Sequence, residues 1–389
     1  MRRSLLMIAP LLVWSAAACS SNDKSLFDAD AGSNTDAEVD PFGNGTDAGF
    51  KGGETGTGGG CKSDPGNYDI PGNMCDDDGD GTVDNPPNCD VGLPQGGDAL
   101  AFAKAIGLCQ QAGGGKWGVV SAAYTQGYNR KDAPDAKQHG ILAKFGSAVK
   151  PRQGGRLGVL SSGEGQELDT CNFLDGQSFK GGCPMTGAGA APPGYPKPAA
   201  GCPVDSTVND VATVKLTVKV PNNAKGFAFD FDFYSGEWPE YVCTKFNDAF
   251  IAYLTSQAFN GGKPDNVSFD AKNNPVSVNN GFFDRCSPAN ATVGCVGTKP
   301  SKAACTSGNG ELQGTGFYQP GMQNCGQNDS GGGATGWLTT KAPVQPGETI
   351  TIEFMVWDTG DQAYDSSVLL DNWAWQPSDV TVGTDRPPN

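Results

Sequence analysis

Apolar and polar residues alternate strictly along three segments of this chain, which is the period of a β-strand with one buried face. The segments are VATVKLTVKVP, GFAFDFDFY and TITIEFMVW, whose apolar positions begin at Val214, Phe227 and Ile350. Shorter strand-like runs occur in WGVVSAAYT, HGILAKFG, RLGVLSS and SVLLDNWAW. Many short strands between loops rich in glycine and proline predict a mainly β protein, an antiparallel β-sandwich of jelly-roll type.

One short helix is predicted in ALAFAKAIGLCQQAGGG. Leu100, Ala103 and Ile106 share one helical face, and Asp98 stands where a side chain can cap the first turn. The glycines at 113–115 are expected to end the segment.

Composition divides the chain into four regions. Residues 1–18 read as a signal peptide, and residues 19–60 as a flexible, acidic and glycine-rich tether with too few apolar residues for a core. Residues 61–94 form a cysteine-bracketed, aspartate-rich segment that we treat as a small module. The strand-like segments all lie in residues 95–389, which we assign to the sandwich.

The N-terminal segment predicts export. Its apolar run at 5–13 is too short to span a bilayer, and Ala16, Ala17 and Ala18 precede Cys19. This arrangement resembles the bacterial lipobox, which implies cleavage before Cys19 and lipid attachment to it. Because Ser20 follows in place of aspartate, the resemblance implies the outer membrane, with the domain in the periplasm or at the cell surface. A plain secretory peptide with an incidental cysteine is the alternative.

The charge is concentrated in the tether and the small module. The chain carries a formal charge of −16, and residues 19–94 contain sixteen acids against three bases. Such a chain repels nucleic acid, so we expect no nucleic-acid partner, and we expect membrane contact through the N-terminal lipid alone.

The cysteines predict disulfides. Twelve of the 13 remain after Cys19, an even number for an exported chain, but their spacing does not decide the pairing. Zinc is disfavoured because no CxxC pair exists and His139 is the single histidine.

The segment DDDGDGTVD has the oxygen spacing of a calcium loop. Acids occupy loop positions one, three, five and nine, and Gly81 at position six permits the turn that brings them together. The predicted ligands are Asp76, Asp78, Asp80, the carbonyl of Thr82, and Asp84. Pro87 stands where an EF-hand has its bidentate glutamate, so the loop is more similar to those of thrombospondin type 3 repeats, with weak binding expected. A solvated acidic turn is the alternative.

A second motif is YSGEWPEYV followed by FNDAF. Together with HGILAKFG, GRLGVLSSGEG and SSVLLDNWAW it resembles the choice-of-anchor L domain of bacterial surface proteins, over roughly residues 95–377. That family is defined by architecture and surface location, with no assigned reaction. Oxygen-bearing residues at strand ends suggest a second calcium site, formed by Glu237, Asn247, Asp248 and Asp371; turn capping is the equal alternative.

Two readings of function remain. The first is a lipid-anchored surface protein that presents a calcium-stabilised, disulfide-bonded sandwich for binding a glycan, matrix component or envelope protein. Its aromatic residues Trp238, Tyr241, Trp373 and Trp375 suit either a sugar-binding face or the core. The second is a lipid-anchored glycan hydrolase using a carboxylate pair such as Glu164 and Glu167, or Glu237 and Glu240. No GxSxG, HExxH, Walker or GxGxxG motif is present, which favours the first.

Overall fold

The computed structural model describes residues 61–85, 89–170, 183–187, 189–279, 282–321, 324–326 and 331–387. The predicted signal peptide, Cys19, the tether and Pro87 lie outside these residues. One α-helix, α1 (Ala99–Ala105), and fifteen strands are found in the described part. The strands are β1 (Gly118–Thr125), β2 (His139–Leu142), β3 (Leu157–Ser161), β4 (Val208–Lys219), β5 (Gly226–Ser235), β6 (Ala249–Thr255), β7 (Asp265–Asn266), β8 (Val276–Ser277), β9 (Asn290–Val293), β10 (Ser301–Ala304), β11 (Gly333–Ala334), β12 (Leu338–Pro343), β13 (Thr349–Thr359), β14 (Ser366–Gln376) and β15 (Gly383–Asp385). Short 3-10 turns cover Ala136–Gln138, Asn260–Gly262, Gly310–Leu312 and Asn324–Gly326.

The strands form two antiparallel sheets and a hairpin. Sheet I has the order β1-β4-β13-β6-β7, with β8 also paired to β6. Sheet II has the order β15-β12-β5-β14-β3-β2, with β11 also paired to β5, and β9 pairs with β10. All seven segments that the sequence marks as strands are strands in the structure, so the prediction of an antiparallel, mainly β fold with one helix is confirmed.

The main core lies between the two sheets. Phe229 of sheet II meets Phe354 of sheet I edge to face, with 4.9 Å between ring centroids. The alternating positions of β4, β5, β6 and β13 point into this core, as their period predicts. Burial of such aromatic side chains is the dominant stabilising term for a sandwich of this kind.

Strand β5 is buried on both faces, although its alternation predicts a half-buried strand. Its phenylalanines face sheet I, while Tyr234 packs in a second apolar cluster with Phe145 and Phe317 on the outer face of sheet II. The loops that carry these two phenylalanines cover that face. The covering could not be read from the period of β5 because it comes from loops distant in sequence.

Helix α1 begins as predicted and ends early. The Asp98 side chain accepts a hydrogen bond of 2.8 Å from the Ala101 amide. The helix stops at Ala105, because Gly107 has a positive φ of 103° and a Cβ there would lie 3.2 Å from the carbonyl oxygen of Trp373. Gly107, and not the glycines at 113–115, therefore marks the end. None of the helices in the described residues is long and apolar enough to cross a membrane.

Disulfides cross-link the loops, as the cysteine count predicts. The pairs in the described residues are Cys61–Cys75, Cys89–Cys109, Cys202–Cys243, Cys286–Cys305 and Cys295–Cys325, and Cys183 is also disulfide-bonded.

The aspartate-rich segment is hydrogen-bonded to the turn between β4 and β5. The Tyr68 amide donates to Asn223 Oδ1 at 2.9 Å, the Asn223 side chain donates back to the Tyr68 carbonyl at 2.8 Å, and the Asn222 amide donates to the Gly66 carbonyl. Strand β5 starts at this end and has ten residues. At ~3.3 Å per residue its far end lies roughly 30 Å away.

Candidate metal centres

Three aspartates of the acidic loop converge as a calcium loop requires. Asp76, Asp78 and Asp80 each offer a carboxylate oxygen, and these oxygens lie within 4.8 Å of one another. The Asp76 carboxylate accepts from the amides of Asp80 and Gly81, and Asp80 Oδ1 accepts from the Thr82 amide at 2.8 Å. These turns place the carboxylates on one side of the loop.

The local hydrogen bonds also set the charge of the loop. The side chain of Asn85 and the amide of Thr82 lower the pKa of Asp80, so this carboxylate is ionised at neutral pH. Partial burial raises the pKa of Asp78, and the neighbouring acids add to the rise. A divalent cation would relieve this mutual repulsion.

Asp84 does not join the other predicted ligands. Its carboxylate accepts hydrogen bonds from the amides of Asn73 and Met74 at 3.1 Å, which turns it toward the preceding part of the loop. Asp69, which was not predicted to act here, anchors the loop by accepting from the amides of Asp77 and Asn85. The Cys61–Cys75 disulfide closes the segment.

A second group of acids lies at the opposite end of the sandwich, where six strand ends meet. Strands β3, β5 and β13 end here, whereas β4, β6 and β14 begin here. The five acids of this group are at most 2 % exposed: Asp210, Glu237, Asp248, Asp358 and Asp365. We call them the buried acid centre.

Asp248 connects the two sheets. Its Oδ1 accepts a hydrogen bond of 2.9 Å from the Thr359 amide of β13, and its Oδ2 accepts one of 2.8 Å from the Ser366 hydroxyl of β14. Glu237 lies beside it, with the Asp248 amide 3.5 Å from Glu237 Oε2. Asn247 precedes it with the side-chain oxygen buried and no hydrogen-bond partner for that atom.

Asp358 is a buried acid whose carboxylate has no hydrogen-bond donor in place. Both of its carboxylate oxygens are buried, and neither meets a donor at hydrogen-bond geometry. Its polar neighbours are the carboxyls of Asp248, Asp365 and Asp210 and the hydroxyl of Ser162. That hydroxyl is directed to the Ser366 carbonyl at 3.3 Å.

Asp210 and Asp365 are held by backbone amides. Asp210 Oδ1 accepts from three successive amides, those of residues 185–187, at 2.6 to 3.0 Å. Asp365 Oδ2 accepts from the Cys183 amide at 3.1 Å, and the backbone of Gly163 packs so closely on Asp365 that a Cβ would clash with its carboxylate.

Burial dominates the protonation of this centre. It raises the pKa of Glu237, Asp358 and Asp365 well above the usual range, and it raises that of Asp248 to about 7. Neighbouring carboxyls add to each rise. Within the described residues, no lysine or arginine forms an ion pair with Glu237, Asp248 or Asp358.

Glu237, Asn247 and Asp248, predicted as a second calcium site, lie together here, but Asp371 does not join them. Asp371 pairs with Asp230 inside sheet II, and its carboxylate accepts from the amides of Arg152 and Gln153. Strand β14 alternates, so Asp371 lies on the outer face while Leu370 faces the core. The prediction for Asp371 is therefore wrong.

The candidate aromatic face is mostly core. Trp238, Trp373 and Trp375 are buried, and Trp373 stacks on Phe227 with 4.3 Å between ring centroids. His139 stacks on Tyr124, and burial lowers its pKa.

Comparison with known proteins supports the family resemblance. Residues 201–375 match the family model of the choice-of-anchor L domain, and this stretch runs from just before β4 nearly to the end of β14. No curated protein matches the chain. A solved structure described as TmCBM61 in complex with beta-1,4-galactotriose is similar at 9 % identity, covering 66 % of this chain and 89 % of its own, with a TM-score of 0.23.

Proposed function

We propose that this chain is a surface protein, lipid-anchored at Cys19, that presents a calcium-stabilised, disulfide-bonded β-sandwich for adhesion to or binding of a glycan, matrix component or envelope protein. The observation that carries the proposal is the convergence of Asp76, Asp78 and Asp80 in a segment hydrogen-bonded to the sandwich. The tether runs directly into this segment. Calcium bound there would stiffen this segment and its contact with the sandwich.

The family match supports surface presentation. Residues 201–375 contain strands of both sheets and the buried acid centre, so the matched region is the body of the sandwich. The outer membrane is the expected location of the anchor, because Ser20 and not aspartate follows Cys19.

One groove suits a hydroxyl-rich ligand. It has a volume of about 410 Å³ and brings Trp337 together with Asp284, Arg285 and Glu311. Arg285 bonds to both acids, at 2.6 Å to Asp284 and 2.9 Å to Glu311, so the polar groups are fixed in place. An aromatic ring beside positioned polar groups is a common composition of ligand sites.

The geometry gives less support to a glycan hydrolase. Glu237, one member of a proposed carboxylate pair, is 2 % exposed and lies in the buried acid centre. Glu164 bonds to Thr170 and Lys137. A hydrolase needs two carboxylates that flank an accessible sugar, and Glu237 does not meet that requirement.

Replacing Asp78 with asparagine tests the acidic loop. We expect Asp78→Asn to weaken calcium binding at the loop about tenfold, because binding strength depends on the number of charged ligands. Asp84→Asn is the matched control, since Asp84 is turned toward Asn73 and Met74. In isothermal titration, the weak calcium-binding phase of the acidic loop should be lost in Asp78→Asn and kept in Asp84→Asn. Equal curves for both variants would count against the loop site.

Replacing Cys19 with alanine tests the anchor. We expect the wild-type chain in the outer-membrane fraction and Cys19→Ala in the soluble fraction, because the variant cannot accept lipid. Protease added to intact cells should degrade the wild-type chain if it faces outward. Retention of Cys19→Ala in the membrane would refute the lipid anchor, and complete protection of the wild type would refute surface presentation.

A further inference from the structure

The buried acid centre places five ionisable side chains in the protein interior, where a charged group is least favourable. Asp358 continues the inward-facing phase of β13, after Ile350, Ile352, Phe354 and Val356. Asp248 stands in the same phase ahead of β6. Asp210 lies at a β-bulge of β4, where its φ is positive, and its carboxyl is near that of Asp358. The hydrophobic core between the sheets therefore ends at a group of buried carboxyls. A buried carboxylate without a partner costs several kcal/mol, so it takes up a proton or a cation.

Asp210 and Asp365 have compensation from backbone amides, and Asp248 from Thr359 and Ser366. Asp358 has none at hydrogen-bond geometry, and it is fully buried beside the Asp248 carboxyl. Asn247 Oδ1 is a buried neutral oxygen that also lacks a partner. These two residues supply oxygen atoms that only a donor or a cation can satisfy.

We propose that a calcium ion binds at this end of the sandwich, with Asp358 and Asp248 as its charged ligands and neutral oxygens around them. Asn247 Oδ1 is the first neutral ligand, because it lacks another partner. The site is separate from the acidic loop at the opposite end of β5, and the inference does not depend on the lipid anchor or on any external ligand.

The proposed site needs only two charged ligands. Within the described residues, three carboxylates come within 4.8 Å of one another in the acidic loop alone, so the buried acids are spread more widely. One ion would then take two carboxylates directly, which neutralises its charge. Calcium accepts carbonyl, amide and hydroxyl oxygens for the rest of its six to eight positions.

Such an ion would join the two sheets. Asp358 belongs to β13 of sheet I, and Asp248, just before β6, already bonds to β14 of sheet II through Ser366. The competing explanation is a proton shared between the two carboxyls.

Thermal unfolding of three full-length mature chains separates these explanations: wild type, Asp358→Asn and Asp78→Asn. Asp358→Asn keeps the shape of the side chain but removes a charged ligand. In millimolar calcium against a chelator, Asp78→Asn should keep a Tm rise of about 5–10 °C, as expected for a ligand near a hundredfold above its Kd. Asp358→Asn should lose that rise and keep the weak phase of the acidic loop.

A shared proton predicts the reverse. Asp358→Asn would then melt at or above the wild-type temperature in calcium, and calcium would not raise the Tm of Asp78→Asn; this result overturns the proposal.

If Asp358→Asn does not fold, a terbium-binding measurement on Asp78→Asn alone tests the site. Trp357 adjoins Asp358 in sequence and donates to Thr359 at 3.1 Å, so terbium bound here should emit on tryptophan excitation and be displaced by calcium. Absence of that emission would refute the site.

Failure of this inference and failure of the acidic loop are distinguishable. If calcium causes no Tm rise that depends on Asp358, the buried site is refuted and the loop site stands. If the weak calcium-binding phase does not depend on Asp78, the loop site is refuted and the buried site stands.

Discussion

Replacing Asp248 with alanine is expected to lower the free energy of unfolding by about 3–5 kcal/mol, measured in chelator so that no ion contributes. The reason is its position between the sheets. It accepts one hydrogen bond from Thr359 of sheet I and one from Ser366 of sheet II, and both donors would be left buried without a partner. Denaturant unfolding gives the value.

Two controls sharpen this prediction. Asp248→Asn keeps one acceptor oxygen and should cost about half as much. Asp379→Ala removes an aspartate whose side chain is 89 % exposed and pairs with Lys225 at 3.4 Å, and it should change stability by less than about 0.5 kcal/mol. A loss below about 1 kcal/mol for Asp248→Ala would show that this residue does not connect the sheets.

Replacing Phe229 with alanine is expected to cost about 3–5 kcal/mol, because it opens a cavity in the core between the sheets. The Phe229 ring is 1 % exposed and meets Phe354 across the core, with Phe231 and Trp373 beside it. The neighbouring strands are held in register on both sides of β5, so the cavity cannot close easily.

The matched control is Val120→Ala. Val120 lies on β1 with more than half of its surface exposed, so its truncation should cost well under 1 kcal/mol. Denaturant unfolding of both variants measures the difference. A cost for Phe229→Ala below about 1.5 kcal/mol would mean that the inward phase of β5 does not form the main core.

The strands were predictable because their alternation is a local property. Strands β6 and β12 and the β9–β10 hairpin were missed. Ala249–Thr255 of β6 is apolar at nearly every position and buried on both faces, and Leu338–Pro343 and the short hairpin strands lack a clear apolar period. The outer clusters around Phe145 and Trp357 were missed for a different reason: loop residues distant in sequence cover strand side chains on the outer faces, as Phe317 covers Tyr234 and Tyr128 covers Tyr253.

Two of the five acids in the buried acid centre, Glu237 and Asp248, were also predictable. Glu237, Asn247 and Asp248 follow one another in the connection between β5 and β6, so a single motif reveals them. Asp210 and Asp358 lie in distant strands, and only the sheet topology joins them. A usable signal existed for Asp358, because it occupies the inward phase of the alternating strand β13, where an acid is out of place.

Asp371 and Asp84 show the limit of composition. Each is an acid at a plausible place in the sequence, yet each is turned away by the backbone amides it accepts from. Such amides are not visible in a motif, and they decide which carboxylates remain available to an ion.

The central claim is that calcium stabilises this sandwich at both ends, at the acidic loop and at the buried acid centre. Native mass spectrometry of the mature wild-type chain, equilibrated with calcium and compared with the same chain in chelator, tests it most directly. The account predicts a mass increase of two calcium ions, with one lost in Asp78→Asn and the other in Asp358→Asn. A wild-type chain that carries no calcium would contradict it.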